Sequence, residues 1–294
     1  MTRAGLEQST KPSATLWRSW LYVPGDRGEI IPKALNSASD CVVIDLEDAV
    51  AVANKDMARK NACAAVRENP NSHIIVRINA VGSPWHERDI AALSEAGVKA
   101  VRIPKSETAD VVANIGNSLG AECELHLLIE SARGLLASDD LAKACATVRS
   151  IALGEADLKS DLGIIDDAYL SYARGKIIAS ARAAGLIAPT QSVYTNVKDD
   201  HGLRVTSQQA RAAGFFGRSV IHPGQVEIVN AVYTPSLDEV ESAQQVVSAL
   251  AKSDNTSALI LPDGRFVDPA IAAMAVRVLD LAATYGTTQE EESV

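Results

Sequence analysis

The feature that most constrains the fold is a regular alternation of short apolar runs with alanine-rich stretches of helical spacing. Such an alternation predicts a parallel sheet, because parallel strands need long crossover connections, which are usually helices. The strand-like runs are 18–24, 41–47, 73–79, 99–105, 124–130, 148–154, 187–194 and 218–223. An open doubly wound sheet usually needs only about five or six strands, and no GxGxxG fingerprint follows the first run. We therefore predict an α/β fold, a (β/α)8 TIM barrel.

The chain is longer than a barrel requires, since it has 294 residues and a barrel needs roughly 250. We predict a flexible N-terminus over 1–17, the barrel over 18–235, and a C-terminal helical extension over 236–294. Within the extension, the sequence predicts a helix, a short hairpin around Asp263 and Gly264, and a terminal helix.

Charge and cysteine usage limit the class of partner and the compartment. The net charge is −9, which argues against nucleic acid as a partner, because a polyanion requires a basic surface. No apolar stretch reaches the roughly 18 residues needed to span a bilayer, and the N-terminus lacks the apolar segment of a secretion signal. The widely spaced cysteines form no CxxC pair, which is typical of reduced thiols. We therefore predict a cytoplasmic protein that binds neither nucleic acid nor membrane.

Acidic residues stand at the ends of two consecutive predicted strands, where barrels of this kind place their active sites. Glu130 ends the fifth run, and Asp157 follows the sixth. Neighbouring strands lie about 4.8 Å apart, so the two carboxylates could reach one ion. Two carboxylates with positions left for water and substrate suit Mg²⁺, and no His/Cys set offers a zinc site. The alternative is that each carboxylate caps the following helix, but together they favour a metal site.

A basic residue and further carboxylates follow the neighbouring strands. Arg77 could hold a substrate carboxylate in a bidentate pair, or it could pair with Asp45 or Glu47 across the sheet, and both could hold at once. We interpret Asp45 and Glu47 as support for Arg77 or for the waters of a metal ion. Lys105 lies among carboxylates that would keep it protonated, which favours charge pairing over Schiff-base chemistry.

Weaker signals follow the first strand and the last two. Arg27 and Lys33 lie near a glycine turn and could meet a phosphate group, so we include both as candidate substrate-binding residues. His222 is interpreted as a structural residue. Tyr194 could be either structural or functional.

Several motifs occur in order between about residues 18 and 280: LYVPGDR, KALNSASDCVVIDLEDAV, VRIN, VRIPKSE, LLIESARGLL, ALGEADLKSDLG, GFFGRSVIHPGQV and DGRFVDPAI. In these motifs the chain resembles the citrate lyase beta-subunit group of the HpcH/HpaI aldolase superfamily. The resemblance implies a Mg²⁺-dependent barrel lyase that cleaves a 3-hydroxyacyl-CoA thioester, of the malyl-CoA, citramalyl-CoA or citryl-CoA type, to a 2-oxo acid and an acyl-CoA. It also implies a homotrimer or a hexamer built as a dimer of trimers.

The resemblance also implies roles for individual residues. Glu130 and Asp157 fall on metal ligands, and Arg77 falls on the residue that grips the oxo-acid carboxylate. The DLED turn at 45–48 matches an acidic turn near the metal. Asp268 resembles an aspartate that the C-terminal extension places over a neighbouring subunit's site as an acid/base.

Other functions of the same residues stay open. The site could condense instead of cleave, or it could hydrolyse the thioester as a malyl-CoA thioesterase or malate synthase would, because the same enolate is involved. The chain could also be the lyase subunit of a citrate lyase complex, with the thioester on an acyl carrier protein. A non-catalytic barrel subunit is the alternative from a different class, and the presence of Glu130, Asp157 and Arg77 argues against it.

Overall fold

The computed structural model describes residues 16–252 and 258–288. These residues divide into two compact units, and the division falls between Val229 and Asn230. Most of the N-terminus predicted as flexible, up to residue 15, lies outside the described residues. Within the described ranges, every helix is too short or too polar to cross a membrane.

A parallel sheet dominates the first unit. Among the described residues its seven strands are β1 Ser19–Pro24, β2 Cys41–Asp45, β3 Ile74–Arg77, β4 Ala100–Ile103, β5 Glu124–Ile129, β6 Val148–Leu153 and β7 Arg218–Val220. Their order is β6–β5–β4–β3–β2–β1–β7, so each of the first six strands lies beside its neighbour in the chain. The predicted α/β fold of the TIM-barrel type is confirmed, with a correction at one strand.

The run 187–194, predicted as the seventh strand, is not a regular strand. It makes one isolated parallel bridge, between Gln191 and Arg218 of β7, and the N–H of Ile187 donates to a carbonyl of β6. This extended segment therefore bridges β6 and β7 with few hydrogen bonds. Pro189 explains the interruption, because proline has no backbone N–H to donate to a neighbouring strand.

Helices follow the strands as the alternation predicts. They are α1 Ile31–Leu35, α2 Lys55–Glu68, α3 His86–Ala96, α4 Ala109–Leu119, α5 Ala132–Leu136, α6 Ser138–Leu141, α7 Glu155–Leu162, α8 Ser171–Ala183, α9 Asp200–Ala213 and α10 Gly224–Tyr233. Gly97, Gly163 and Gly214 end α3, α7 and α9 in the left-handed conformation. Glycine adopts this conformation without a steric penalty, so these helices end where their sequences indicate.

The sheet is buried on both faces, which explains why its strands are near-continuous apolar runs. β2 is buried along its whole length. Inside the barrel, Trp20, Val43 and Ile75 belong to one apolar cluster. All four cysteines are unpaired, as their spacing predicts.

Among the described residues, the second unit comprises the end of α10, two further helices and a hairpin. The further elements are α11 Leu237–Lys252, β8 Leu259–Ile260, β9 Phe266–Val267 and α12 Pro269–Tyr285. β8 and β9 pair antiparallel, with Gly264 in the turn at a φ of +87°, so the predicted hairpin is confirmed. Val246, Leu261 and Val267 are central to a small apolar core of this unit. A contribution of this extension to a neighbouring subunit's site stays a prediction.

Candidate active site at the carboxyl ends of the barrel strands

A cavity of about 470 Å³ opens at the carboxyl ends of the barrel strands. Its lining includes Asp45 of β2, Arg77 of β3, Arg102 of β4, Glu130 after β5 and Asp157 of α7. These side chains meet because the carboxyl ends of parallel barrel strands share one rim. The structure thus brings the predicted metal-ligand pair and the predicted carboxylate-binding arginine to the same cavity.

Asp45 and Arg77 form a two-point ion pair across β2 and β3, where they are register partners. Arg77 donates from Nε to Oδ1 at 2.7 Å and from Nη2 to Oδ2 at 2.6 Å. Asp45 is only 1% exposed and also accepts hydrogen bonds from the N–H groups of Glu47 and Ala49. Burial lowers the pKa of Arg77, but the hydrogen bonds and charge of Asp45 have a larger opposing effect, so the pKa lies above its ordinary value. The guanidinium therefore stays charged, and one edge of it is occupied by Asp45.

Glu47 lies between two cations. Its Oε1 accepts from Nζ of Lys105 at 2.5 Å, and its Oε2 is 3.2 Å from Nη1 of Arg77. Burial nevertheless raises the pKa of Glu47 to about 7, because desolvation outweighs the attraction of Arg77 and Lys105. The contact with Glu47 makes Lys105 a charge partner, as its acidic surroundings indicate. Lys105 also has a φ of +50°, an uncommon conformation for a residue other than glycine.

Glu130 lies at the end of β5, against the backbone of its neighbours. It is 5% exposed, and its Oε2 accepts from the backbone N–H of Lys105 at 2.7 Å. Gly154 leaves room for the carboxylate beside it. Burial raises the pKa of Glu130, and this effect exceeds the opposing one of the Lys105 N–H. A buried carboxylate with so little compensation is stabilised by a cation.

Asp157 lies in the first turn of α7 and is exposed to the cavity. It forms no hydrogen bond or ion pair within the described part of the chain. Its charge helps to raise the pKa of Glu130, so the two carboxylates lie within electrostatic reach. Neither one caps a helix, because Ser131 is the N-cap of α5 and Gly154 precedes α7. The capping alternative is thus not what the structure shows.

The surroundings of this pair decide which ion it suits. Glu155, close by in the sequence, is held by Arg174 through two hydrogen bonds of 2.8 Å, so its charge is already compensated. Across residues 16–252 and 258–288, no group of three or more His, Cys, Asp or Glu side chains is arranged to hold a metal. Two oxygen ligands in an open cavity fit a hard cation that keeps several waters, and they do not fit zinc.

Tyr22 and Arg102 also line the cavity, and sequence reasoning missed both. Arg102 is 2% exposed, and its Cζ lies 4.9 Å from the ring centroid of Trp20 and 5.8 Å from that of Tyr22. Burial raises the pKa of Tyr22, and Arg102 opposes that shift. A signal for Arg102 was present, because it is a charge between Val101 and Ile103 in an otherwise apolar run.

Arg27 and Lys33 lie outside the cavity lining, and Asp268 belongs to the second unit. The side chains of Arg27 and Lys33 are exposed and are not part of the cavity lining in the described chain; Arg27 lies 3.6 Å from Glu29. In the second unit, Asp268 accepts a hydrogen bond from the N–H of Ile271 and caps α12. A substrate-binding role for Arg27 and Lys33, and an acid/base role for Asp268, stay predictions.

Tyr194 and His222 both make local structural contacts. The hydroxyl of Tyr194 donates to Asp199 at 2.5 Å, and Asp199 in turn caps α9. Nδ1 of His222 accepts from the N–H of Gly224, the first residue of α10. These contacts support the interpretation of His222 as structural and indicate the same for Tyr194.

Two protein-family descriptions match the chain. Residues 18–223 match the family described as HpcH/HpaI aldolase/citrate lyase. Residues 169–287 match the family described as C–C bond lyase of the TIM-barrel fold. The first match covers the cavity described above.

Individual proteins are similar over nearly the whole chain. The citrate lyase subunit beta of Leuconostoc mesenteroides subsp. cremoris is 35% identical over 91% of this chain and 93% of its own length. The (3S)-malyl-CoA thioesterase of Cereibacter sphaeroides (strain ATCC 17023) is 34% identical over 86% of this chain and 90% of its own. The crystal structure of CitE from Mycobacterium tuberculosis with magnesium, acetoacetate and coenzyme A has a TM-score of 0.79 and 30% identity, over 92% of this chain and 99% of that one.

Proposed function

The chain belongs to the HpcH/HpaI aldolase/citrate lyase family and is a carbon–carbon lyase, and we propose that it cleaves a 3-hydroxyacyl-CoA thioester to a 2-oxo acid and an acyl-CoA with Mg²⁺ as cofactor. The observation that carries this proposal is the convergence of Glu130, Asp157 and Arg77 on one cavity. A CoA-thioester enzyme among its relatives and a relative crystallised with magnesium and coenzyme A support it. The proposed substrate is of the malyl-CoA, citramalyl-CoA or citryl-CoA type.

Glu130 and Asp157 would hold the metal ion. Glu130 presents a buried carboxylate with a raised pKa, and Asp157 presents one without another partner in the described chain. When bound, Mg²⁺ supplies Lewis-acid stabilisation of the oxygen on which negative charge develops during cleavage. A divalent ion would neutralise the buried charge of Glu130 together with the nearby charge of Asp157, and this is the physical reason that these residues favour it.

Arg77 would bind the carboxylate of the oxo-acid portion. A guanidinium has five N–H donors, and Asp45 accepts hydrogen bonds from two of its nitrogens, Nε and Nη2. Nη1 also donates to Asp48 at 3.3 Å and lies 3.2 Å from Oε2 of Glu47, so the substrate carboxylate would use the N–H groups of Nη1 and Nη2 that remain. Asp45 holds the guanidinium in one orientation, so little side-chain entropy is lost when the substrate binds.

Cleavage also requires that a proton leave the substrate hydroxyl and that a proton reach the thioester enolate. We keep Asp268, supplied by a neighbouring subunit, as the proposed acid/base for these transfers. Glu47 is the second proposed group, because a carboxyl whose pKa is about 7 exchanges a proton readily near neutral pH. Asp45 acts through Arg77 as a positioning residue.

The proposal is tested with Glu130→Gln and Asp157→Asn. Each change keeps the size of the side chain and removes one negative charge, so we expect Mg²⁺ affinity to fall by at least about tenfold. Isothermal titration with Mg²⁺ plus oxalate or pyruvate measures the affinity. Screening malyl-, citramalyl- and citryl-CoA for release of a 2-oxo acid measures the activity, which should be lost in both variants.

Glu155→Gln is the matched control, because it removes the same charge from the same helical turn. Its carboxylate is already paired with Arg174, so metal affinity should stay within about twofold of the wild type. Undiminished metal-dependent cleavage in Glu130→Gln or Asp157→Asn would refute the assignment. Circular dichroism of all three variants establishes that the fold is retained.

Hydrolysis of the thioester is the second candidate function, and similarity to a (3S)-malyl-CoA thioesterase favours it. The two reactions differ in products, since hydrolysis releases free coenzyme A thiol whereas cleavage releases a 2-oxo acid. Condensation in the manner of malate synthase would consume the oxo acid.

Activity only on a thioester of an acyl carrier protein would indicate a citrate lyase subunit, which similarity to citrate lyase subunit beta supports. Absence of metal-linked ligand binding would indicate a non-catalytic barrel.

A cytoplasmic location and a homotrimeric or hexameric assembly are also part of the proposal. Four unpaired cysteines and a net charge of −9 support a reducing compartment and a partner that is neither nucleic acid nor membrane. Assembly follows from the proposed role of Asp268, which requires a neighbouring subunit. Sedimentation equilibrium measures the subunit number, and a monomer with full activity would contradict this part.

A further inference from the structure

We propose that Arg102 is a specificity-determining residue that binds a second carboxylate, so that the oxo-acid portion of the substrate is dicarboxylic. This inference rests on the proposed function and deepens it. Its basis is an arginine buried in the cavity wall whose hydrogen-bonding capacity the protein leaves unused.

The side chain of Arg102 is almost completely enclosed. It is 2% exposed and lines the same cavity as Glu130 and Asp157. Its Nε and Nη1 are buried and have no hydrogen-bond acceptor in the described part of the chain, and it forms no ion pair there. Buried polar groups without a partner are rare in native proteins, because each one loses its hydrogen bonds to water without replacement.

The immediate neighbours of Arg102 supply no anion. Its Cζ lies 4.9 Å from the ring centroid of Trp20 and 5.8 Å from that of Tyr22. These cation–π contacts compensate only part of the cost of burying the charge. His126 is its register partner on β5, and burial, reinforced by Arg102, lowers the pKa of that histidine to about 3. The imidazole is therefore neutral and does not compensate the charge.

The other cations that line the cavity already have carboxylate partners. Arg77 pairs with Asp45 at 2.6 Å, and Lys159 pairs with Asp167. Within the described residues, Arg102 is therefore the cation of the cavity lining that has no carboxylate partner in the protein. A ligand that places an anion near Arg102 and oxygen ligands near the Glu130 and Asp157 pair would complement both sets of charges.

A diacid would complement this arrangement, because Arg102 and the carboxylates of Glu130 and Asp157 line one cavity of about 470 Å³. One carboxylate of the ligand would pair with Arg102, and its other end would lie at the acidic pair. A three-carbon acid ends in a methyl group and leaves Arg102 without a partner.

The test compares oxaloacetate, freshly dissolved, with pyruvate, which lacks the second carboxylate. Isothermal titration in the presence of saturating Mg²⁺ should show that the wild-type protein binds oxaloacetate at least about tenfold more tightly, as expected for a charge-assisted pair. Malate and lactate form a second, chemically stable pair and should show the same preference. Arg102→Met, which keeps the length and removes the charge, should abolish the preference and retain pyruvate affinity.

Arg149→Met is the control, because Nε of Arg149 already lies 2.8 Å from Oε1 of Glu124. This variant should leave the preference for the diacid intact. Arg102→Lys keeps the positive charge but lacks the planar guanidinium, so it should retain part of the preference for oxaloacetate over pyruvate. Should Arg102→Met fail to fold by circular dichroism, the wild-type preference together with Arg102→Lys decides. Equal affinities in the wild type, or a preference that survives in Arg102→Met, would overturn the inference. Binding of pyruvate without any preference would leave the proposed function standing, whereas binding of neither acid with Mg²⁺ would overturn both.

Discussion

A β-carbon on Gly154 would lie 2.4 Å from Oε1 of Glu130, so the carboxylate occupies the space that any larger residue at position 154 would fill. The two residues meet because β5 and β6 pair in register up to Ile129 and Leu153, the residues just before them. Glycine at position 154 therefore supports the orientation of a proposed metal ligand.

We expect Gly154→Ala to weaken Mg²⁺ binding by about 10- to 100-fold, the usual effect of disturbing the support of a metal ligand. Gly154 has a φ of −92° and a ψ of 84°, and the negative φ is open to alanine. The loss would therefore come from the displaced Glu130 carboxylate. Isothermal titration with Mg²⁺ and oxalate measures it.

Gly175→Ala is the control for that substitution. Gly175 lies in α8 with no atom within 4 Å of the added β-carbon, so Mg²⁺ affinity should not change. Alanine is favoured over glycine in a helix by about 1 kcal/mol, so this variant should also be slightly more stable. Equal Mg²⁺ affinity in the two variants would contradict the role assigned to Gly154.

Arg77→Lys should lower the free energy of unfolding by roughly 2–4 kcal/mol. Lysine cannot reproduce the two-point contact with Asp45, and a buried carboxylate that loses its partner is strongly destabilising. The same change should weaken 2-oxo acid binding. Urea denaturation and isothermal titration provide the two measurements.

Arg18→Lys tests whether the binding effect is specific to the cavity. Arg18 contacts Asp40 through Nε at 2.9 Å and Nη2 at 2.8 Å, a comparable two-point pair. We expect a loss of stability in this variant too, but no change in 2-oxo acid affinity. A fall in affinity as large as that of Arg77→Lys would show that the effect is merely one of stability.

Lys105→Gly should be more stable than Lys105→Ala by about 1 kcal/mol, since the residue has a φ of +50° and only glycine adopts that region freely. Both variants lose the ion pair with Glu47, so their difference isolates the backbone. Urea denaturation of the pair measures this difference. Equal stabilities, or a more stable alanine variant, would contradict it.

Glu47 predicts a pH dependence of stability. Its pKa is about 7 in the folded protein against 4.5 for an ordinary glutamate, so the folded state binds more protons between these values. The free energy of unfolding therefore falls as the pH rises from about 4.5 to 7, and this contribution is then constant at higher pH. The full effect of a shift of this size is up to roughly 3 kcal/mol.

Glu47→Gln removes this titration. The stability of the variant relative to the wild type should increase between pH 5 and pH 8, as measured by urea denaturation without Mg²⁺. Comparing the two proteins at each pH cancels the titration of the remaining carboxylates. A relative stability that stays constant with pH would show that Glu47 titrates normally.

The fold and the location of the polar side chains could be predicted from the sequence to a large degree. The alternation of strands and helices placed Asp45, Arg77, Glu130 and Asp157 at strand ends, and the structure brings them to one cavity. The prediction of a regular seventh strand was wrong, and Pro189 was a signal against it, because proline has no N–H to donate to a neighbouring strand. The roles of the individual site residues stay predictions.

The sequence by itself determined the architecture, because the period of apolar residues and the need for crossover helices are local properties of the chain. Only the tertiary structure decided which charges are already paired. The contacts of Arg77 with Asp45 and of Lys105 with Glu47 join residues 32 and 58 positions apart, and they depend on strand register and burial. For the same reason, only the tertiary structure shows that Arg102 lies unpaired inside the barrel, since an arginine in an apolar run does not indicate whether a carboxylate faces it.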